Sequence, residues 1–479
     1  MTRLRSVPAV SLLLLLSGCR VGPDFRTPAN PPGADAPLVS MQPTAETTDP
    51  PPDEWWKLYN DARLDALLTE AFTANVDLAA AEANLNAAGA LFAAARSARY
   101  PDTRANVGGT YGRDGVTDEI LELGGHPPQS TWILDDLFEV SYEVDLFGRV
   151  RRSVEAARAN AESSAAARDS LKVVVAAETT RAYAQICALG EQLQVAQHSL
   201  QIVSREADIT THRHDAGANS EFDVVRAQGL VAQTRSAIAP LEGQRRAALF
   251  QLAALLGRTP VNAPTDIQSC DSPPKLSSLI PIGDGAALLK RRPDVRQADR
   301  LLAAATARIG IATADLYPKI TLSGLYGGIA AQASDLTTNL GLTWAIGPSI
   351  SWTFPNQALP RARVRQAKAN AAAALAGFDS VVLTALKETE QSLAIYGSAL
   401  EYRQALTEAQ AKAHKAFDMA HDQFLAGSLS NLDLLTTEQS LVQADAAVAA
   451  SDSALVQDQI AVFKALGGGW RKPDSVPPS

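Results

Sequence analysis

Cys19 has the setting that most directly calls for covalent chemistry. It closes Leu16-Ser17-Gly18-Cys19, after a basic pair, Arg3 and Arg5, and an apolar run from Val10 to Leu16. Charge, apolar run and small residues in that order form a cleaved export signal, and the run is too short to span a bilayer as a helix. A cysteine at this point has the form of a bacterial lipobox, in which it becomes the acylated first residue of the mature chain. Lipidation is therefore expected at Cys19. The alternative is an ordinary secretory signal with a chance cysteine.

The other residues with chemical potential are carboxylates in two matching stretches. Ala216-Gly217-Ala218-Asn219-Ser220-Glu221-Phe222-Asp223 is echoed by Ala426-Gly427-Ser428-Leu429-Ser430-Asn431-Leu432-Asp433. Gly217 and Gly427 suit the left-handed position that ends a helix. Ser220 and Ser430 can cap the next helix, with Asp223 and Asp433 at the third position of its first turn, an arrangement like a capping box. Capping alone accounts for the Gly, Ser and Asp. His212 and His214 lie beside Asp215, where a solvated helix end is a better reading than a metal site. Gly467-Gly468-Gly469 has no phosphate-loop lysine and serine behind it and reads as a flexible terminus. With no nucleophile–base arrangement and no paired histidines at zinc spacing, no enzyme, metal or cofactor is expected.

Composition narrows the class. Removal of the signal leaves roughly 460 residues, enough for several domains. The net charge of −9 and pI near 5.3 argue against nucleic acid as a partner. After Cys19 only Cys187 and Cys270 remain, which is no disulfide framework, although one bridge stays open. No later stretch is expected to have the apolar length of a spanning helix. Such a chain can cross an outer membrane only as part of a closed β-barrel.

The elements that carry these residues come in duplicate, with a period of about 210 residues that marks a domain-scale repeat. Leu255-Leu256-Gly257 recurs as Ala465-Leu466-Gly467, Arg99-Tyr100-Pro101 answers Leu316-Tyr317-Pro318, and Asn75-Val76-Asp77 answers Arg292-Pro293-Asp294. Long segments show four-three spacing: Ala182, Ile186, Leu189, Leu193, Ala196, Leu200, Val203 and Ala207; Leu434, Leu441, Val448, Leu455 and Val462; and Ile395, Ala399, Tyr402, Leu406, Ala409, Ala413 and Ala416. Such seams predict supercoiled helices packed knobs-into-holes. Small seam residues and apolar positions on more than one side predict neighbours on both flanks, as in staves; an ordinary bundle is the plain alternative.

Between the helices the period changes to two. Ala105, Val107, Gly109 and Tyr111 alternate with polar or small residues, as do Phe138, Val140, Tyr142, Val144 and Leu146. Ile320, Leu322 and Tyr326, then Leu342, Trp344, Ile346, Ile350 and Trp352, repeat the pattern. These hairpins fit lipid-facing barrel strands, although a sheet packed on a soluble core would alternate too. Four strands cannot close a membrane barrel, so the chain is expected to donate its hairpins to a shared one.

Here the sequence resembles the outer-membrane factor family of tripartite efflux systems (TolC/OprM-like), in particular its lipoprotein, NodT-like branch. The resemblance rests on Gly18-Cys19-Arg20-Val21-Gly22-Pro23-Asp24-Phe25 with Pro28, on Trp55-Trp56 and Leu58-Tyr59, on Arg291-Arg292-Pro293-Asp294-Val295 and Tyr317-Pro318, and on the paired tip motifs. It implies a mainly α fold with a membrane β-barrel contribution: a homotrimer with a twelve-stranded barrel continued by a long α-helical barrel. On that scheme residues 1–18 are the signal and 19–60 a lipidated extended segment, whose Pro-rich stretch from Thr27 to Asp53 wraps the outside of the trimer. The first repeat covers 61–258 with its hairpin at about 103–147, and a linker of little regular structure in an equatorial domain covers 259–285. The second repeat covers 286–467 with its hairpin at about 319–354, and 468–479 is a flexible C-terminus.

The resemblance also implies a periplasmic adaptor (membrane fusion) protein and an inner-membrane efflux transporter as partners, and outer-membrane lipid around the barrel. Arg20 follows Cys19 in place of the Asp associated with inner-membrane retention, so outer-membrane sorting is expected. Gly217, Ser220, Gly427 and Ser430 would form the tip turns where the adaptor docks, with Phe222, Asp223, Leu432 and Asp433 at the gate. Leu432 matches an apolar constriction of relatives. Thr436 replaces the family's further acidic ring position, which leaves Asp433, Glu438, Asp223 and Glu221 as candidates for a cation-attracting ring. The expected function is a passive exit duct for small molecules, of an RND-type system in the family's terms, rather than a type I protein secretion duct. A periplasmic adaptor or a structural coiled-coil envelope lipoprotein are the rival classes.

Overall fold

A computed structural model describes residues 20–113, 115, 122–125, 127 and 130–469. Cys19 and its signal therefore lie outside the described residues. In chain order these are a short strand β1 (Glu46–Thr47), helices α1 (Ala62–Ala74) and α2 (Val76–Ser97), and strands β2 (Asp102–Gly112) and β3 (Thr131–Val144). Next come α3 (Arg149–Asp215), α4 (Glu221–Ser236), α5 (Ile238–Leu255), β4 (Ile280–Pro281), α6 (Gly285–Arg291) and α7 (Pro293–Ala314). Strands β5 (Lys319–Ala330) and β6 (Leu342–Ser351) lead into α8 (Ala358–Leu425) and α9 (Asn431–Ala465).

Local chemistry sets the boundaries. The Asp61 side chain accepts from Arg63 N and Leu64 N to start α1, and the Asn75 side chain does the same for α2 through Asp77 N and Leu78 N. The Asp145 carboxylate takes Val150 N and Arg151 N at the head of α3. The break between α4 and α5 falls at Ala237, three residues ahead of Pro240, whose missing N–H belongs in a first turn. The corresponding position of the second half is Ala450, and there α9 runs on without interruption.

The chain divides into two compact units. The first comprises Met1–Pro28, Leu85–Ser163 and Ala298–Phe378. Its sheet is antiparallel throughout, in the order β2-β3-β5-β6. The register places Ala105, Phe138, Tyr326 and Trp344 in one row across all four strands. Val107, Tyr111, Trp132, Leu322, Ile346 and Ile350 share that face, and all are exposed. Arg104, Glu139, Thr321, Ser323 and Ser349 take the other face, since neighbours in a strand point to opposite sides. Elsewhere in this unit the contacts are between small residues: Ala159 meets Ala303 and Ala304, and Ala305 and Ile309 meet Ala371.

The second unit comprises Ala29–Asn84, Ser164–Gln297 and Asp379–Ser479. Its core gathers Trp55, Trp56, Tyr59, Leu64, Ile186, Leu252, Ile280, Ile460 and Phe463, and Trp55 stacks on Phe463 with ring centroids 4.7 Å apart. The α3 seam points into the unit at Ala182, Ile186, Leu189, Leu193, Val203 and Ala207. The seam expected in α8 does not. Ile395 and Tyr402 are 53% and 62% exposed, while Leu393 and Tyr396 beside them are buried. This helix carries two apolar faces, and the chain itself covers one of them.

The 259–285 segment has little regular structure, only two short 3-10 turns (Pro260–Asn262 and Thr265–Ser269) and the two-residue β4, yet it is packed: Ile267, Ile280 and Ile282 are buried in the core, β4 pairs in parallel with β1, and Cys270 is bonded to Cys187. Apolar residues scattered through a Pro- and Ser-rich run give it enough to bury. Gly467-Gly468-Gly469 is likewise packed rather than flexible, with Gly469 N donating to Asp53 O and Gly468 against the Trp55 ring. Against expectation, α8 contains an 18-residue window apolar enough to cross a membrane by length and composition. The run Ala369–Leu386 carries one charge, Asp379, and sets Leu375, Phe378, Val381, Val382, Leu383 and Leu386 among alanines.

Candidate functional site

Both predicted tip motifs lie in the second unit and are built alike. Helix α3 ends with Ala218 N donating to Arg213 O and Gly217 N to His214 O; α8 ends with Ser428 N to Gln423 O and Gly427 N to Phe424 O. These are Schellman turns, and Gly217 and Gly427 take the left-handed conformation they require, at φ +78° and +76°. The Ser220 hydroxyl accepts from Asp223 N while Asp223 accepts from Ser220 N, a complete capping box. Ser430 accepts from Asp433 N at 3.2 Å and donates its hydroxyl to Asp433 Oδ2 at 2.6 Å. The Ser220 hydroxyl bond, above all, holds the Asp223 carboxyl below the usual carboxylate range, so it stays charged.

Capping employs the serines and aspartates and leaves the residues before the aspartates free. Phe222 and Leu432 occupy equivalent positions and are 68% and 49% exposed. Arg226 sits over the Phe222 ring at 5.5 Å. Arg213 joins the two tips: it donates to Phe424 O at 3.0 Å and lies 4.3 Å from the centre of the Phe424 ring. Thr210 donates to the Asn431 side chain at 3.3 Å, a second tie between α3 and the start of α9. Each tip therefore presents an exposed apolar side chain next to a capped carboxylate. His214 Nδ1 lies 3.0 Å from Asn219 O and His212 is exposed, which leaves them as parts of a helix end. Among the described residues no group of His, Cys, Asp and Glu could hold a metal.

The expected acidic ring is corrected at one position. Glu438 is 0% exposed and both its carboxylate oxygens lack a hydrogen-bond partner, so it cannot face a pore from this chain. Burial, reinforced by the neighbouring Glu206 charge, pushes its pKa up to about 8. Glu206 is itself buried and raised by that burial, with His421 Nδ1 offsetting it from 3.1 Å, off hydrogen-bond direction. Glu438 lies four residues after Leu434 and three before Leu441, on the face of the α9 seam, and that spacing is the sequence signal for its burial. Glu206 and His421, and Arg213 between the tips, carried no local spacing that could single them out.

A sheet with one apolar exposed face and two long helices ending in capped turns defines a membrane-duct class of fold, and comparison bears this out. The chain belongs to the Outer membrane efflux protein family, which matches residues 67–258 and 286–468. It is 29% identical over 470 residues to Nodulation protein T of Rhizobium leguminosarum bv. viciae, covering 98% of this chain and 95% of that one. It is also 29% identical to the pyoverdine export outer membrane protein OpmQ of Pseudomonas putida, covering 98% and 99%. Among solved structures, the outer-membrane channel OprN superposes with a TM-score of 0.85 at 33% identity, over 94% of this chain and all of that one. The family and fold set aside the adaptor and tether readings.

Proposed function

We propose that three copies of this chain form the exit duct of a tripartite, RND-type efflux system. Each copy contributes four strands to a twelve-stranded barrel and its long helices to a periplasmic tube. The observation that carries this reading is the four-stranded sheet of the first unit. Its apolar face is exposed along every strand, and among the described residues β2 and β6 each pair with one neighbour only. In hydrocarbon every backbone donor and acceptor needs a partner, so such edges must meet another copy. The exposed second face of α8, at Ile395 and Tyr402, supports the same arrangement among the helices.

Lipidation at Cys19 anchors the mature chain in the outer membrane, and the tips at Gly217–Asp223 and Gly427–Asp433 receive the adaptor. Leu432 and Phe222 narrow the closed duct, with Asp433 and Asp223 beside them. The duct performs no chemistry; an inner-membrane transporter supplies energy and chooses cargo. Light scattering of the detergent-extracted protein tests the assembly. A protein mass near three protomers fits, whereas a folded monomer or dimer rejects the shared barrel.

A further inference from the structure

The most elaborate construction in the first unit surrounds residues Arg20–Phe25. Arg152 on α3 is 0% exposed although it is a cation. Its guanidinium donates to Gly22 O at 3.1 Å, Val21 O at 3.3 Å, Asp24 Oδ1 at 2.9 Å and Glu155 Oε2 at 2.9 Å. Glu155 Oε2 also takes Arg20 Nη2 at 2.5 Å. A buried cation is retained only where its donors are satisfied, and here three of the four acceptors belong to the N-terminal segment.

The backbone fit is equally close. Gly22 has φ +85°, and a Cβ built on it would stand 2.5 Å from Gly310 Cα. A Cβ on Gly310 would meet the Arg152 side chain at 2.7 Å. Two glycines thus let the segment lie directly on α7. Val21 N donates to Phe147 O at 3.3 Å, and Phe25 packs on Ala159, Ala303 and Ala304 under the Arg300 guanidinium. Phe147 stacks on Tyr317 at 4.6 Å. Those two rings follow the end of β3 and precede the start of β5, so they mark one rim of the apolar sheet face.

We infer that Arg152 is a positioning residue that seats Arg20–Phe25, so that whatever is attached at position 19 is delivered to this rim. Two residues of extended chain reach only about 7 Å, so an acyl group on Cys19 would enter the membrane beside the strands rather than at the end of a loose leash. The seat would also form in an unacylated chain; only its purpose rests on the lipidation reading.

The test is timed trypsin digestion of the folded, detergent-extracted oligomer, with mass spectrometry of the intact chain and of released peptides. In the natural protein the Arg20–Val21 bond is cut at least tenfold more slowly than in Gly310→Val, while both keep the same thermal unfolding. Asp24→Ala, on the exposed strap, gives intermediate protection and covers the case in which Gly310→Val fails to fold. Cys19→Ser keeps full protection. Equal cutting in the natural protein and Asp24→Ala, at the rate of an unstructured peptide, overturns the seat. A natural chain without acyl mass but with protection overturns the lipid reading alone.

Discussion

Phe138 on β3 stands directly opposite Tyr326 on β5, at the line where the first hairpin meets the second. The pair joins the two halves of the duplicated chain and belongs to a row that continues to Ala105 on one side and Trp344 on the other. A slip of one residue in either hairpin would turn every apolar side chain of that hairpin to the polar face. The register is therefore what makes one side of the sheet fit for lipid.

Charge introduced on that side should be punished and charge on the other tolerated. Ile346→Lys is expected to lose about 2–4 kcal/mol of membrane-inserted stability, the scale for lysine near a bilayer midplane. Thr321→Lys, on the polar face, should change it little. Urea titration of protein refolded into vesicles measures both, and equal losses would count against a lipid-facing side.

The tips make a prediction about aperture. Leu432→Ala should enlarge single-channel conductance, because about half of the side chain is exposed. Asp433→Asn should lower cation preference while leaving the Ser430 cap in place, since that cap accepts from the Asp433 backbone N–H. If conductance and selectivity are unchanged in both, the gate is elsewhere.

Glu438 sets a pH dependence with a definite sign. Its folded pKa of about 8 lies above the ordinary glutamate value, so the folded chain holds the proton more tightly than the unfolded one. The resulting stability is fully present below the unfolded pKa, near 4.5, and is lost as pH rises through about 8. Glu438→Gln keeps the neutral shape and should flatten that part of the profile. Thermal unfolding at a series of pH values reads it; an unaltered slope in the variant would place the titration on another group.

The Cys187–Cys270 bond closes a loop across 83 positions and ties the middle segment to α3. Replacing both cysteines by alanine should cost about 2–4 kcal/mol, as measured by denaturant midpoint. Midpoints that coincide with and without the bond would show that the buried isoleucines of that segment suffice.

Much of this was legible in the sequence because it repeats locally. The Gly, Ser and Asp of each tip act within one turn of helix, so their spacing states their geometry. The strands were legible because period two survives over ten residues. What escaped depends on distant pairing. Nothing local announces that Arg152 will close on Asp24 or that Gly22 will touch Gly310. The α8 seam was found as a pattern, yet Ile395 and Tyr402 face out, since periodicity reports an apolar face without saying which chain covers it.

Single-channel recording in a planar bilayer decides whether this chain is a duct. Small, cation-preferring steps are expected from the purified oligomer, enlarged in Leu432→Ala. A folded oligomer that stays silent both as the natural protein and as Leu432→Ala would contradict a duct.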